Sequence, residues 1–176
     1  GSAGVVSGVL LAVIDRLKLT HQQQLDFLFT AGAFGLVIAN NASISGAEGG
    51  CQAEVCSASA MASAALVAAS GGTPDQSAQA VAITIKNMMC LICDPVAGLV
   101  EVPCVKRNAL GSSQAFISAD MALAGIRSVI PPDEVIHAMY QVGRQMPQIF
   151  KETAEGGLAV TQTAQRLSKE ILEKQK

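Results

Sequence analysis

The chain has 176 residues, half of them apolar and 15% charged, with a formal net charge of −2. That length supports one domain with a hydrophobic core, and that balance of apolar to charged residues excludes a disordered chain. Lysines and arginines are scattered and aromatic residues make up only 3%, which gives neither a basic stripe nor a stacking platform, so no nucleic-acid partner is expected.

The apolar content comes largely from Ala, Val, Leu and Ile. Small, Ala-rich faces let helices approach closely, so an all-α fold is expected: a compact multi-helix bundle over residues 1–176 as a single domain. The first helix is amphipathic, from Val5 to Leu17. Thr20 caps the next, with Gln23 three residues on in a capping-box arrangement, and the pattern runs to about Ala39. "NNASISGAEGG" (40–50) then reads as a polar, Gly-rich loop. Such a loop inside an apolar domain points to function, the more so because it leads straight into Cys51. Cys51 to Ser70 reads as a helix of small residues, stopped by Gly71-Gly72. Thr73 and Pro74 open another helix, with Asp75 complementing its dipole, to about Met89. The apolar loop "CDPVAGLVEVPCVKRN" (93–108) follows, then a helix from about Asn108 to Ile126. Pro131-Pro132 open a helix through Gln145, Pro147 and Gly156-Gly157 interrupt, and a polar helix from Thr163 to Lys174 closes the chain.

Two uncharged stretches, Phe27–Ala47 and Val55–Pro74, are long enough to cross a bilayer. Asn40, Asn41, Ser43 and Ser45 dilute the first; four serines and a Gly pair dilute the second. Neither carries aromatic belts or flanking basic asymmetry, so buried helices are expected and no membrane partner. The opening residues lack the basic start of a secretory leader. Five cysteines in that context point to a reducing compartment, with the cytoplasm as the expected location.

The cysteines carry the chemical question. The pair at 93 and 104 could form a disulfide, half a metal site, or two inert buried thiols. Cys51 and Cys56 lie five apart, about 140° round an α-helix, and so face different ways. Cys51 follows Gly49-Gly50 at a helix start, where the dipole favours thiolate. Cys56 sits among Ala and Ser as packing. Cys90 and Cys93 form a C-x-x-C, but no second pair and no paired histidines complete a zinc site. His21 falls in a capping turn and His137 on a surface helix. Three cysteines remain beside Gly- or Pro-containing loops: Cys51, Cys93 and Cys104. Three thiolates suit a 4Fe–4S cluster with one iron left open. Inert core thiols, a zinc scaffold and a non-catalytic helical interaction subunit all stay open on the residues alone.

Longer motifs go further. "NNASISGAEGGCQAEV" (40–55), "CDPVAGLVEVPCVKRN" (93–108) and "SADMALAGI" (118–126) resemble the α part of the bacterial iron–sulfur L-serine dehydratases. The likeness extends over essentially the whole chain, through "FLFTAGAFG" (27–35), "GGTPDQSAQA" (71–80) and "DEVIHAMYQVGRQMP" (133–147). The resemblance implies a 4Fe–4S cluster on Cys51, Cys93 and Cys104, with Cys56 and Cys90 outside the ligand set. It implies L-serine as substrate, converted to pyruvate and ammonia. No pyridoxal phosphate is implied, and Lys86 lacks a Gly-rich phosphate cradle around it.

The family also implies a β chain or domain carrying a Ser-Ser-His-Thr-type motif that this sequence lacks, so a β partner and an oligomer are expected. "GSAG" (1–4) resembles the end of a longer family string, so Gly1–Gly4 read as native and the chain as a fragment, inactive alone. Within that resemblance, Lys106 and Arg107 are candidate partners for the substrate carboxylate. Asn40, Asn41, Ser43 and Ser45 are candidate donors to substrate or cluster sulfides. Asp94 and Glu101 read as loop structure, and Met61, Met88 and Met89 as core filler.

Overall fold

The computed structural model describes residues 2–174, so Gly1 of the opening string and the last two residues lie outside it. The described residues form eight α-helices and no strand. They are α1 (Ala3–Leu17), α2 (His21–Asn41), α3 (Gly46–Gly49), α4 (Ser57–Ala69), α5 (Pro74–Met88), α6 (Cys104–Leu123), α7 (Pro132–Gln145) and α8 (Gln162–Lys174). The expected all-α bundle is what the chain adopts.

Helix α4 is the axis of the bundle. It packs against α1, α2, α5 and α6, and ten of its thirteen residues are buried, so it is enclosed on nearly every side. Its composition permits this: Ala, Ser and a few aliphatics let four helices close on one. Gly111 of α6 shows how tight the approach is, since a Cβ there would overlap Ser59 Oγ and come within 2.9 Å of Val55 Cγ1. Most of the buried hydroxyls here find partners, Ser57 Oγ being the exception. Ser59 donates to the Val55 carbonyl (2.6 Å), Ser63 to that of Ala60 (2.8 Å), and Thr84 to Ser63 Oγ (3.1 Å). The stretch Gln52–Ala69 has the length and apolarity of a membrane span, but 78% of it is buried inside the bundle.

Both helix-start signals hold. Thr20 with Gln23, and Thr73 with Gln76, form complete capping boxes, and Pro74 occupies the first turn of α5. Each box satisfies two backbone donors that a helix start leaves free.

Three boundaries differ from the sequence reading, and all three lie near the cysteines. The supposed loop 40–50 is shorter, because α2 continues to Asn41 and α3 occupies 46–49. The helix expected from Cys51 starts instead as a π turn over Gln52–Cys56 before α4 begins. Helix α6 starts at Cys104, four residues before the expected Asn108, with Pro103 as its cap residue.

Candidate metal centre

Three chain segments deliver three thiols to one place. Cys51 enters from the turn that follows α3. Gly50 there has φ 76°, and a Cβ on it would strike Met146 Sδ at 2.6 Å and the Leu91 carbonyl at 3.0 Å. Only glycine fits that left-handed, crowded position. The Gln52 N–H then donates to the Leu91 carbonyl (2.9 Å), fixing the Cys51 segment to the one that carries Cys93.

Cys93 is held by a second strap. Its N–H donates to the Phe150 carbonyl (2.8 Å) and its carbonyl accepts from the Glu152 N–H (3.0 Å), a bridge pairing Cys93 with Lys151. The loop beyond it closes through the Val96 N–H on the Val102 carbonyl (2.9 Å). Cys104 follows as the first residue of α6. All three cysteines are buried, at 1%, 3% and 5% exposure for Cys51, Cys93 and Cys104.

Arg107, one turn into α6, joins these segments. Its Nη1 lies 2.7 Å from Asp94 Oδ1, 2.8 Å from the Ile92 carbonyl and 3.7 Å from Cys51 Sγ. Asp94 is 2% exposed. It also accepts the Leu158 N–H at 2.7 Å. Gly157 (φ 59°) makes that contact possible, because a Cβ there would overlap the Asp94 carboxylate. One buried ion pair thus links the Cys51 turn, the Cys93 loop, the Cys104 helix and the segment after α7.

The electrostatics follow from that arrangement. The Cys51 thiol falls to about 7, chiefly because the Cys93 thiol donates to it; burial opposes the shift and Arg107 assists it. Cys93 is pushed up, first by giving that hydrogen bond to Cys51 and then by burial. Cys104 is raised by burial and by the Cys51 charge. Cys93 and Cys104 therefore each sense Cys51, the thiol that ionises most readily of the three and that lies beside a guanidinium. Glu54 disfavours ionisation of all three.

The other expected site residues separate into two groups. Arg107 turns inward, whereas Lys106 is exposed. Ser43 donates to Glu48 Oε2 (2.5 Å) and accepts from the Ser45 N–H (3.1 Å), a small polar turn ahead of α3. Asn40 and Asn41 are exposed at the end of α2, and the Asn41 amide donates to the Val37 carbonyl (2.8 Å), within its own helix.

The remaining cysteines stay out of the cluster. Cys90 is exposed. Cys56 is fully buried and faces the Ile85 carbonyl of α5 (3.8 Å), with its thiol raised by that burial. The π turn changes the reason for its exclusion. In i→i+5 bonding the α-helical phase argument lapses, and Cys56 is kept away by packing on α5. His21 and His137 are both exposed.

The donor set bears on what could be held here. Among the described residues, no three His, Cys, Asp or Glu side chains are placed to hold a single metal ion. Three sulfurs on separate segments, with a cation on one of them, suit a larger anionic group instead.

A protein-family model described as "Serine dehydratase alpha chain" matches residues 1–159. The chain belongs to that family. A "Probable L-serine dehydratase, alpha chain" of Bacillus subtilis (strain 168) is 67% identical over 171 residues, covering 97% of this chain and 57% of the relative. A relative with the same description from Latilactobacillus sakei is 56% identical, covering 97% of this chain and 82% of its own length. The "L-serine dehydratase, alpha chain" of Peptoniphilus asaccharolyticus is 47% identical, with 98% and 59% covered. The chain thus spans between 57% and 82% of the lengths of these relatives.

The sequence reading had assigned no part in the site to the segment after α7. Lys151 and Leu158, which brace Cys93 and Asp94, lie more than fifty residues beyond them, and no spacing rule links such distant backbone groups. The Gly156-Gly157 pair was the available signal, read there only as a helix interruption.

Proposed function

We propose that this chain is the catalytic α part of an iron–sulfur L-serine dehydratase, with Cys51, Cys93 and Cys104 as the ligands of a 4Fe–4S cluster. The observation that carries the reading is the convergence of three buried thiols from three segments, in a chain of the serine dehydratase α family. The reaction removes water from L-serine to give aminoacrylate, which tautomerises to the imine and hydrolyses to pyruvate and ammonia. When bound, the cluster supplies a Lewis-acid iron that eases departure of the β-hydroxyl.

The chain's own residues prepare the site. Arg107 assists Cys93 in favouring the anionic, ligating form of Cys51 and contacts its sulfur. Asp94 keeps Arg107 in place. Loading requires the remaining thiol protons to leave, so uptake of the metal is coupled to proton release. In the turn beside the Cys51 segment the Ser43 hydroxyl is given to Glu48, and the Ser45 hydroxyl serves as a hydrogen-bond donor to the substrate. A β chain or domain completes the active site and supplies the acceptor for the Cα proton.

Anaerobic reconstitution with iron and sulfide, in the presence of the β partner, tests this. The expected product has about four irons per chain, broad visible absorption and serine-dependent pyruvate formation. Cys51→Ser, Cys93→Ser and Cys104→Ser each remove the absorption and the activity. A wild-type chain that binds one zinc, or a serine variant that keeps both cluster and turnover, overturns the assignment.

A further inference from the structure

Arg107 is committed to Asp94, the Ile92 carbonyl and Cys51, so a substrate carboxylate needs other cations. A cavity of about 390 Å³ lies between the α3 turn, the π turn and α7. Its walls include Ser43, Glu48, Gln52, Tyr140, Arg144 and Lys151. Two of these belong to the thiol-bearing straps: Gln52 follows Cys51 directly, and Lys151 is the bridge partner of Cys93. The volume is in the range of small-molecule sites.

The charges in this cavity are arranged for a zwitterion. Neither Arg144 nor Lys151 has an ion-pair partner among the described residues. Glu48, on the same wall, accepts only the Ser43 hydroxyl. Gln52 is 0% exposed, and its amide nitrogen donates to the Met139 carbonyl (3.2 Å). Its amide oxygen has no partner at all. A buried, unpaired amide oxygen costs free energy.

We infer that this cavity binds a small α-amino acid, with Arg144 and Lys151 on its carboxylate and Glu48 on its ammonium. The inference rests on the dehydratase reading for the identity of that amino acid, L-serine. It adds that substrate orientation is set by α7 and the segment after it. Two cations on one carboxylate fix its plane, and Glu48 fixes which way Cα faces.

The test compares L-serine with L-serinamide, which keeps the ammonium and hydroxyl but lacks the carboxylate. Ligand-detected NMR on the reconstituted α–β enzyme should show L-serine binding at least about tenfold tighter than the amide. Arg144→Gln and Lys151→Gln should each erase most of that preference, and Arg144→Lys should restore part of it. In the same variants KM for L-serine should rise by about tenfold or more, while iron content and the visible spectrum match wild type. Equal binding of the two ligands by wild type, or an undiminished preference in the double Arg144→Gln/Lys151→Gln variant, overturns the inference. Binding that discriminates in an enzyme forming no pyruvate would retire the dehydratase reading and leave the pocket standing.

Discussion

Replacing Arg107 by Gln removes the one cation that, among the described residues, contacts Cys51, and its cost can be worked from the structure. The Arg107 and Asp94 side chains are 16% and 2% exposed, and they meet at 2.7 Å. Truncating the guanidinium leaves the Asp94 carboxylate buried, with the Leu158 N–H as its remaining donor. Breaking a buried pair on one side costs about 3–5 kcal/mol, because the surviving charge loses its partner and cannot reach water. Against a domain stability of about 5–15 kcal/mol this is a severe loss.

Urea unfolding of the cluster-free chain, kept reduced and anaerobic, measures it. Arg107→Gln and Asp94→Asn should each lower stability by several kcal/mol, about 3 or more. The double variant should lose clearly less than the sum, since neither member is then stranded. Lys106→Gln, at an exposed position, should stay within about 0.5 kcal/mol of wild type. In Arg107→Gln the Cys51 thiol should also titrate higher than in wild type, because the guanidinium helps to lower it, followed by thiolate absorbance. If both single variants lost under about 1 kcal/mol and the double were additive, the pair would not be the tie described above.

Other expectations are simpler. Cys56→Ala and Cys90→Ser should keep full iron content on reconstitution, because neither thiol joins the three-cysteine group; loss of iron in either would redraw the ligand set. Gly111→Ala should cost about 1–3 kcal/mol by driving α6 off α4, read as a lower thermal midpoint; an unchanged midpoint would mean the approach at Ser59 is looser than it looks. Thr73→Ala should cost about 1 kcal/mol by removing the capping box of α5, measurable in the same melts. The stability of the cluster-free chain should rise from pH 7 toward pH 9, because Cys51 is already ionised when folded but still protonated when unfolded. Above the ordinary thiol value the sign reverses, since Cys93, Cys104 and Cys56 hold their protons when folded and release them when unfolded. A profile flat across that range would remove the basis for the Cys51 thiolate.

How much of this was legible depended on whether the cause was local. The capping box at Thr20 was readable because both partners lie within four residues, and Thr73 with Pro74 marked the start of α5, though its partner Gln76 went unread. Cys51, Cys93 and Cys104, the proposed ligands, stood out in the sequence because each lies beside a Gly- or Pro-containing loop, and all three are buried. The start of α6 at Cys104 was misplaced because the whole of 93–108, with its two prolines and its glycine, reads as loop. Pro103, which needs no amide hydrogen there, already begins it. The π turn over Gln52–Cys56 was invisible, as its bonding is set by how the turn seats against α5 and α7. Arg107 looked like a free cation, because its carboxylate partner is thirteen residues away across a loop of irregular backbone.

These failures share a cause that bears on how the centre works. On the proposed reading, a metal group bound by three thiols would need the segments that carry them fixed and buried before it arrives. Here the loops are kept in place by backbone bonds to segments remote in sequence: Gln52 to Leu91, Cys93 to Phe150 and Glu152, Asp94 to Leu158. The rigid reference for all of them is the Ala- and Ser-rich α4, which is enclosed so completely that its neighbours have little room to shift. Preorganisation of that kind spares the loops their ordering entropy at the moment of loading. It also explains why an otherwise apolar domain tolerates a buried carboxylate and guanidinium beside its thiols. An apolar pair would be at least as stable, but it would lack the guanidinium contact to the Cys51 sulfur.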